Sequence, residues 1–154
     1  MSSNKPEWMS ELAGMLAAGD GHGGYLVKFP IYRPDLAKSL AHHLGLEFFD
    51  FRAEVMSRLG TSAHTLELDA IGRSLKSRAS HRGLLAFNLE ALLGTKAESA
   101  RQAWFGEFVR GSYRHPVVVP LAVFCSDVDA SLPNIVTLDP QSLPEQSLIS
   151  RLAT

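Results

Sequence analysis

The chain contains a single cysteine, Cys125, so it can close no disulfide on itself and cannot build a multi-cysteine zinc site. That economy fits a reducing cytoplasm. Cys125 follows an apolar run and reads as a structural thiol, with nothing recognisable nearby to lower its pKa. An excess of charge of either sign is also lacking. The 16 acidic and 15 basic residues leave a net charge of -1, which removes any general pull toward nucleic acid or an anionic membrane. No apolar run approaches the ~20 residues that span a bilayer. The first residues, MSSNKPEWMSELAG, hold two acids and no apolar signal core, so export is not expected and a cytoplasmic location is. The serine-hydrolase signature G-x-S-x-G is missing, as are internal repeats and low-complexity tracts. Six histidines invite a metal search, but His42 and His43 are adjacent and are expected on different helix faces. His22, His64, His81 and His115 sit in separate loops without metal-ligand spacing, so no metal and no other cofactor is expected.

What is present is an ordinary globular composition, 45% hydrophobic and 20% charged, on a chain of 154 residues. One domain of that size buries roughly two-thirds of its unfolded surface. Residues 1–24 read as an amphipathic helix followed by a Gly-rich linker, GDGHGG. Pro6 suits the first helical position, and Trp8, Met9, Leu12 and Met15 fall on one stripe. That stripe either packs on the chain's own core or offers a surface to a partner protein.

Residues 25–154 read as an α/β core in which strands and helices alternate. Strands are expected at Tyr25 to Phe29, in LEFFDF, in RGLLAFN, in PVVVPLAVF and in NIVTL. RGLLAFN is unbroken in its apolar middle, as strands covered on both faces are. Pro120 inside PVVVPLAVF predicts a bend or bulge. Helices are expected over DLAKSLAHHL with Gly45 as its stop, over Arg52 to Leu59, and around Leu66, Leu68, Ile71 and Leu75 despite Gly72. The second half of LEALLGTKAESARQAWFGEFVRGSYRH is also helical, with Trp104, Phe105, Phe108 and Val109 inward, and SLPEQSLISRL would close the chain as a helix. The sum is a three-layer α/β domain with a mostly parallel sheet of about five strands. Such sheets carry ligand sites at the carboxyl ends of their strands.

The order of strand, loop and helix in YLVKFPIYRPDLAKSLAHHLG, preceded by a helix and a Gly-rich linker, resembles a P-loop NTPase core of the AAA+ type. The motif itself is degenerate. Laid over G-x-x-x-x-G-K-[ST], the segment FPIYRPDL puts Phe29 and Pro34 at the glycines, Asp35 at the lysine and Leu36 at the hydroxyl. Each replacement removes a group that would hold phosphate or magnesium, and Asp35 would repel phosphate. The strand LLAFN offers Asn88 where the family's second motif has an acid, with Glu90 two residues on. Glu90 suits the first turn of a helix. Small accessory proteins of bacterial phage-defence systems, such as the B protein of the BREX system, show a similar layout. The resemblance implies a non-catalytic subunit or adaptor in a multi-protein assembly, with other protein subunits as partners and no nucleotide turnover.

Two alternatives remain open. Asp50, Glu90 and Asp127, with Asp129 and Asp139, would gather at the carboxyl edge of the sheet and could serve a small metal-dependent phosphoryl-transfer or hydrolase enzyme. Arg73, Lys76, Arg78 and Arg82 form a local basic cluster, read either as a solvated helix end or as a nucleic-acid contact.

Overall fold

The computed structural model describes residues 7–18, 24–59, 67–129 and 131–138. Five strands, β1 (Gly24–Lys28), β2 (Glu47–Asp50), β3 (Leu84–Phe87), β4 (Val117–Leu121) and β5 (Ile135–Thr137), form one sheet in the order β2-β3-β4-β1-β5. Every neighbouring pair is parallel. The helices are α1 (Glu7–Ala18), α2 (Pro34–Leu44), α3 (Phe51–Leu59), α4 (Leu68–Arg78) and α5 (Glu98–Arg110). Short 3-10 turns follow β3 at Leu89–Leu93 and β4 at Cys125–Asp127.

Alternation along the strands divides the core into two layers. Leu26, Leu84, Ala86, Val117 and Val119 pack with Ile71 and Leu75 of α4 and Phe105 and Phe108 of α5. Their neighbours Val27, Leu85, Phe87 and Val118 pack on the opposite face with Met9 and Leu12 of α1 and Leu36 and Leu40 of α2. Both faces of the sheet are therefore covered, which is why the strands read as apolar runs rather than alternating ones. The three-layer α/β architecture expected from the sequence is the observed one.

One open reading is settled and one expectation is overturned. Met9 and Leu12 are fully buried and the partly buried Met15 packs against the same cluster, so of the two readings left open for α1 its stripe takes the first and packs on the chain's own core. The side chain of Trp8, the rest of the Gly-rich linker before Gly24 and the expected terminal helix lie outside the described residues. Pro120 makes no bulge: β4 pairs with β1 in unbroken register from Gly24↔Val117 to Lys28↔Leu121. The Leu121 carbonyl accepts from Phe29 on the β1 side, whereas the Pro116 carbonyl accepts from Leu84 on the β3 side. By alternation Pro120 turns its missing donor toward β3, beyond Val118 where that ladder ends.

α2 begins with Pro34 at its first position and ends at Gly45, whose φ of 69° is the left-handed cap that glycine adopts without strain. α4 tolerates Gly72 because Ile71 and Leu75 anchor its buried side.

Candidate functional site

The carboxyl ends of β1, β3 and β4 converge because β4 lies between the other two. β1 delivers the five-residue loop FPIYR before α2. Phe29 is buried and donates its N–H to the Leu121 carbonyl at 2.7 Å. Pro34 opens α2, Leu36 is fully buried in the core, and Asp35 is held by Arg33 through bonds of 2.9 and 2.8 Å. That paired guanidinium keeps the Asp35 carboxyl below its ordinary pKa, against the opposing effect of burial. The four positions aligned with a phosphate loop thus serve as core, helix start and internal ion pair.

β3 delivers Asn88 in the left-handed conformation, with φ 61° and ψ 17°. Asparagine tolerates this region better than most side chains, and the turn aims its amide sideways along the edge. Its Oδ1 accepts the Tyr32 hydroxyl at 2.9 Å, while its Nδ2 lies 3.3 Å from both oxygens of Asp50. Asp50 also accepts the Ala53 N–H at 3.0 Å and so caps the start of α3. The Tyr32 ring stacks on Phe87 at 5.7 Å.

Glu90 does more than favour its own helical turn. Its buried carboxylate crosses to the loop after β4 and accepts the N–H groups of Ala122, Val123 and Phe124 at 2.7, 3.0 and 3.0 Å. Successive converging N–H groups are the device with which a protein holds an anion. Here the anion is the chain's own. Asp127 is likewise committed, bonded to Arg101 at 2.6 Å, and the Arg101 guanidinium lies 4.3 Å from the centre of the Phe124 ring. Asp129 is exposed, lines the same surface cavity as Asp127, and accepts the Ser131 N–H, which lowers its pKa. The acids proposed for an enzyme therefore do not all converge: Asp50 and Glu90 serve the β3 end, Asp127 and Asp129 share a separate cavity beside α5, and Asp139 is outside the described residues.

Between these groups remains a cavity of about 20 Å³, walled by Phe29, Phe87, Leu121 and Ala122 and roofed by Tyr32. That volume holds about one water and is far smaller than a nucleotide phosphate tail requires. Cys125 beside it donates weakly toward the Leu121 and Phe29 carbonyls at 3.5 and 3.8 Å. Burial, and then the Glu90 charge, push its thiol above the ordinary pKa, so it is a poor nucleophile.

The basic cluster separates. Arg73 and Lys76 line one depression together with Asp69, whereas Arg78 and Arg82 line another with Glu47 and Glu54. The Arg78 guanidinium carbon lies over Phe49, 3.4 Å from the ring centre. The adjacent His42 and His43 rings meet edge to face at 5.4 Å. Among the described residues, no three His, Cys, Asp or Glu side chains are grouped as a metal site needs, and no helix is long and apolar enough to cross a membrane.

Sequence reasoning passed over Tyr32, whose hydroxyl joins two strand ends, and the pairing of Arg101 with Asp127. The available signal for Tyr32 was an apolar pair, Ile31 and Tyr32, held between two prolines in a loop. No family model, curated protein or solved structure matches the chain.

Proposed function

We propose that the chain is a non-catalytic α/β domain of P-loop-like ancestry that acts as a subunit or adaptor in a multi-protein assembly. The observation that carries the reading is the filled cradle at the strand ends. An AAA+-type site brings a phosphate loop after one strand against an acid at the end of another. Here the loop after β1 and the turn after β3 face each other across β4 and are joined by the bond from Tyr32 to Asn88. The layout survives while the occupants are internal: Tyr32 roofs the cavity, Leu36 is in the core, and Glu90 fills the set of N–H groups after β4. The resemblance to the small B proteins of BREX would place such an adaptor in bacterial defence against phage or mobile DNA.

The reading of a metal-dependent phosphoryl-transfer enzyme gains no support from the site, since Asp50, Glu90 and Asp127 each satisfy a neighbour within the fold. Calorimetric titration with ATP and magnesium tests the proposal. No heat of binding is expected; a micromolar dissociation constant would refute the filled-cradle reading.

A further inference from the structure

The buried Glu90 carboxylate has no cation as its partner. Among the described residues the ion pairs join Arg33 to Asp35 and Arg101 to Asp127. Its hydrogen bonds come instead from three consecutive backbone N–H groups, one on Oε1 and two on Oε2. A buried carboxylate is costly unless such donors replace its lost water, and converging N–H groups form a concavity that holds anions. Backbone alone therefore supplies what an anion needs here. The donors, Ala122 to Phe124, precede the 3-10 turn at Cys125–Asp127, whose own N–H groups are not among them.

The donor loop is fixed by contacts in which Glu90 takes no part. Before it, the Leu121 carbonyl accepts the Phe29 N–H at 2.7 Å. After it, the Phe124 carbonyl accepts the Asp127 N–H at 3.0 Å, and the Phe124 ring lies 4.3 Å from the Arg101 guanidinium. Arg101 is itself held by Asp127 and by the Lys96 carbonyl, each at 2.6 Å. Donors set in place before an anion arrives bind it without the cost of ordering the loop. Glu90 comes from a different element, the turn Leu89–Leu93, and lies 32 residues before Ala122. Its side chain is thus a ligand that the turn after β3 delivers to a separately built loop.

Size narrows the class of anion. The free space beside Glu90 and Ala122 is about 20 Å³, with apolar walls at Phe29, Phe87 and Leu121. Glu90→Ala removes the methylene and carboxylate beyond Cβ, which is the outline of one acetate ion. A tetrahedral phosphate is bulkier, and the apolar walls would leave its further oxygens without donors.

We propose that Ala122, Val123 and Phe124 form a preorganised site for a small carboxylate, which Glu90 occupies as a tethered ligand and free acetate occupies once the tether is cut. The site goes beyond the adaptor reading and does not rest on it. Chemical rescue tests it. Sodium acetate, compared with sodium chloride at equal ionic strength, should raise the melting temperature of Glu90→Ala by about 2–4 °C more than that of wild type. Glu90→Gln keeps the space filled and should respond no more than wild type does. Amide NMR of labelled Glu90→Ala should place the largest saturable acetate shifts at Ala122, Val123 and Phe124. Equal responses in wild type and Glu90→Ala would reveal a general salt effect and overturn the site. So would shifts centred elsewhere, an equal response in Glu90→Gln, or rescue by phosphate as strong as that by acetate. If Glu90→Ala does not fold in chloride, refolding in acetate alone supports the proposal, and failure in both salts overturns it.

Discussion

Glu90 Oε1 accepts the Ala122 N–H at 2.7 Å, tying the turn after β3 to the loop after β4. The same carboxylate takes two further N–H groups through its other oxygen. Hydrogen bonds to a charged group contribute about 1.5–3 kcal/mol, and buried donors left without a partner cost more. Glu90→Ala is expected to lower unfolding free energy by about 2–4 kcal/mol. Glu90→Gln keeps the shape but turns an NH₂ toward the donors, and should fall between the two. Urea denaturation of the three proteins decides this; an unchanged midpoint in Glu90→Ala would show that the carboxylate does not hold the loop.

Asn88 combines a left-handed backbone with two side-chain partners, and two substitutions separate these contributions. Asn88→Gly relieves the backbone and loses only the side-chain bonds. Asn88→Ala loses the bonds and adds backbone strain of about 1 kcal/mol. Thermal unfolding should therefore rank wild type above Asn88→Gly and Asn88→Ala last. Equal stability of the two variants would remove the backbone part of the argument.

Two glycine-to-alanine changes should have opposite signs. A Cβ on Gly24 would stand 2.5 Å from the Phe108 carbonyl oxygen and 2.8 Å from its ring, so β1 and α5 would have to separate. Overpacking of that kind costs about 1–3 kcal/mol. A Cβ on Gly72 meets nothing within 4 Å and replaces a poor helix former inside α4. Gly72→Ala should raise stability by about 0.5–1 kcal/mol. Denaturant midpoints moving the same way in both variants would contradict this.

Burial pushes the Tyr113 hydroxyl up to about 12, against an ordinary value of 10.0. A raised folded pKa contributes stability that is complete below the unfolded value and is lost as pH rises through the folded one. Stability should thus begin to fall above about pH 10 as this phenol titrates. Ultraviolet difference titration should show a late tyrosine step near pH 12, and Tyr113→Phe should reduce it. A single common transition for all three tyrosines would contradict it.

The fold was legible because its signals are local. Unbroken apolar strands such as LLAF and VVVPL, the Pro34 start and the Gly45 stop can each be read within a dozen residues. Pro120 misled because its consequence depends on which side of the strand lacks a neighbour, and that is a property of strand order. The site was legible only in part. That Phe29, Pro34, Asp35 and Leu36 match no phosphate-loop motif stands in the sequence, but what each of them packs against does not.

The sequence by itself determined the layered α/β class and that the corner between β1 and α2 carries no G-x-x-x-x-G-K-[ST] motif, because hydrophobic period, caps and motif spacing are set between near neighbours. Tertiary structure decided that α1 is core and that Glu90 reaches Ala122, Val123 and Phe124. Those outcomes depend on β4 entering the sheet between β1 and β3, a placement set by the summed burial of both faces and by no residue alone.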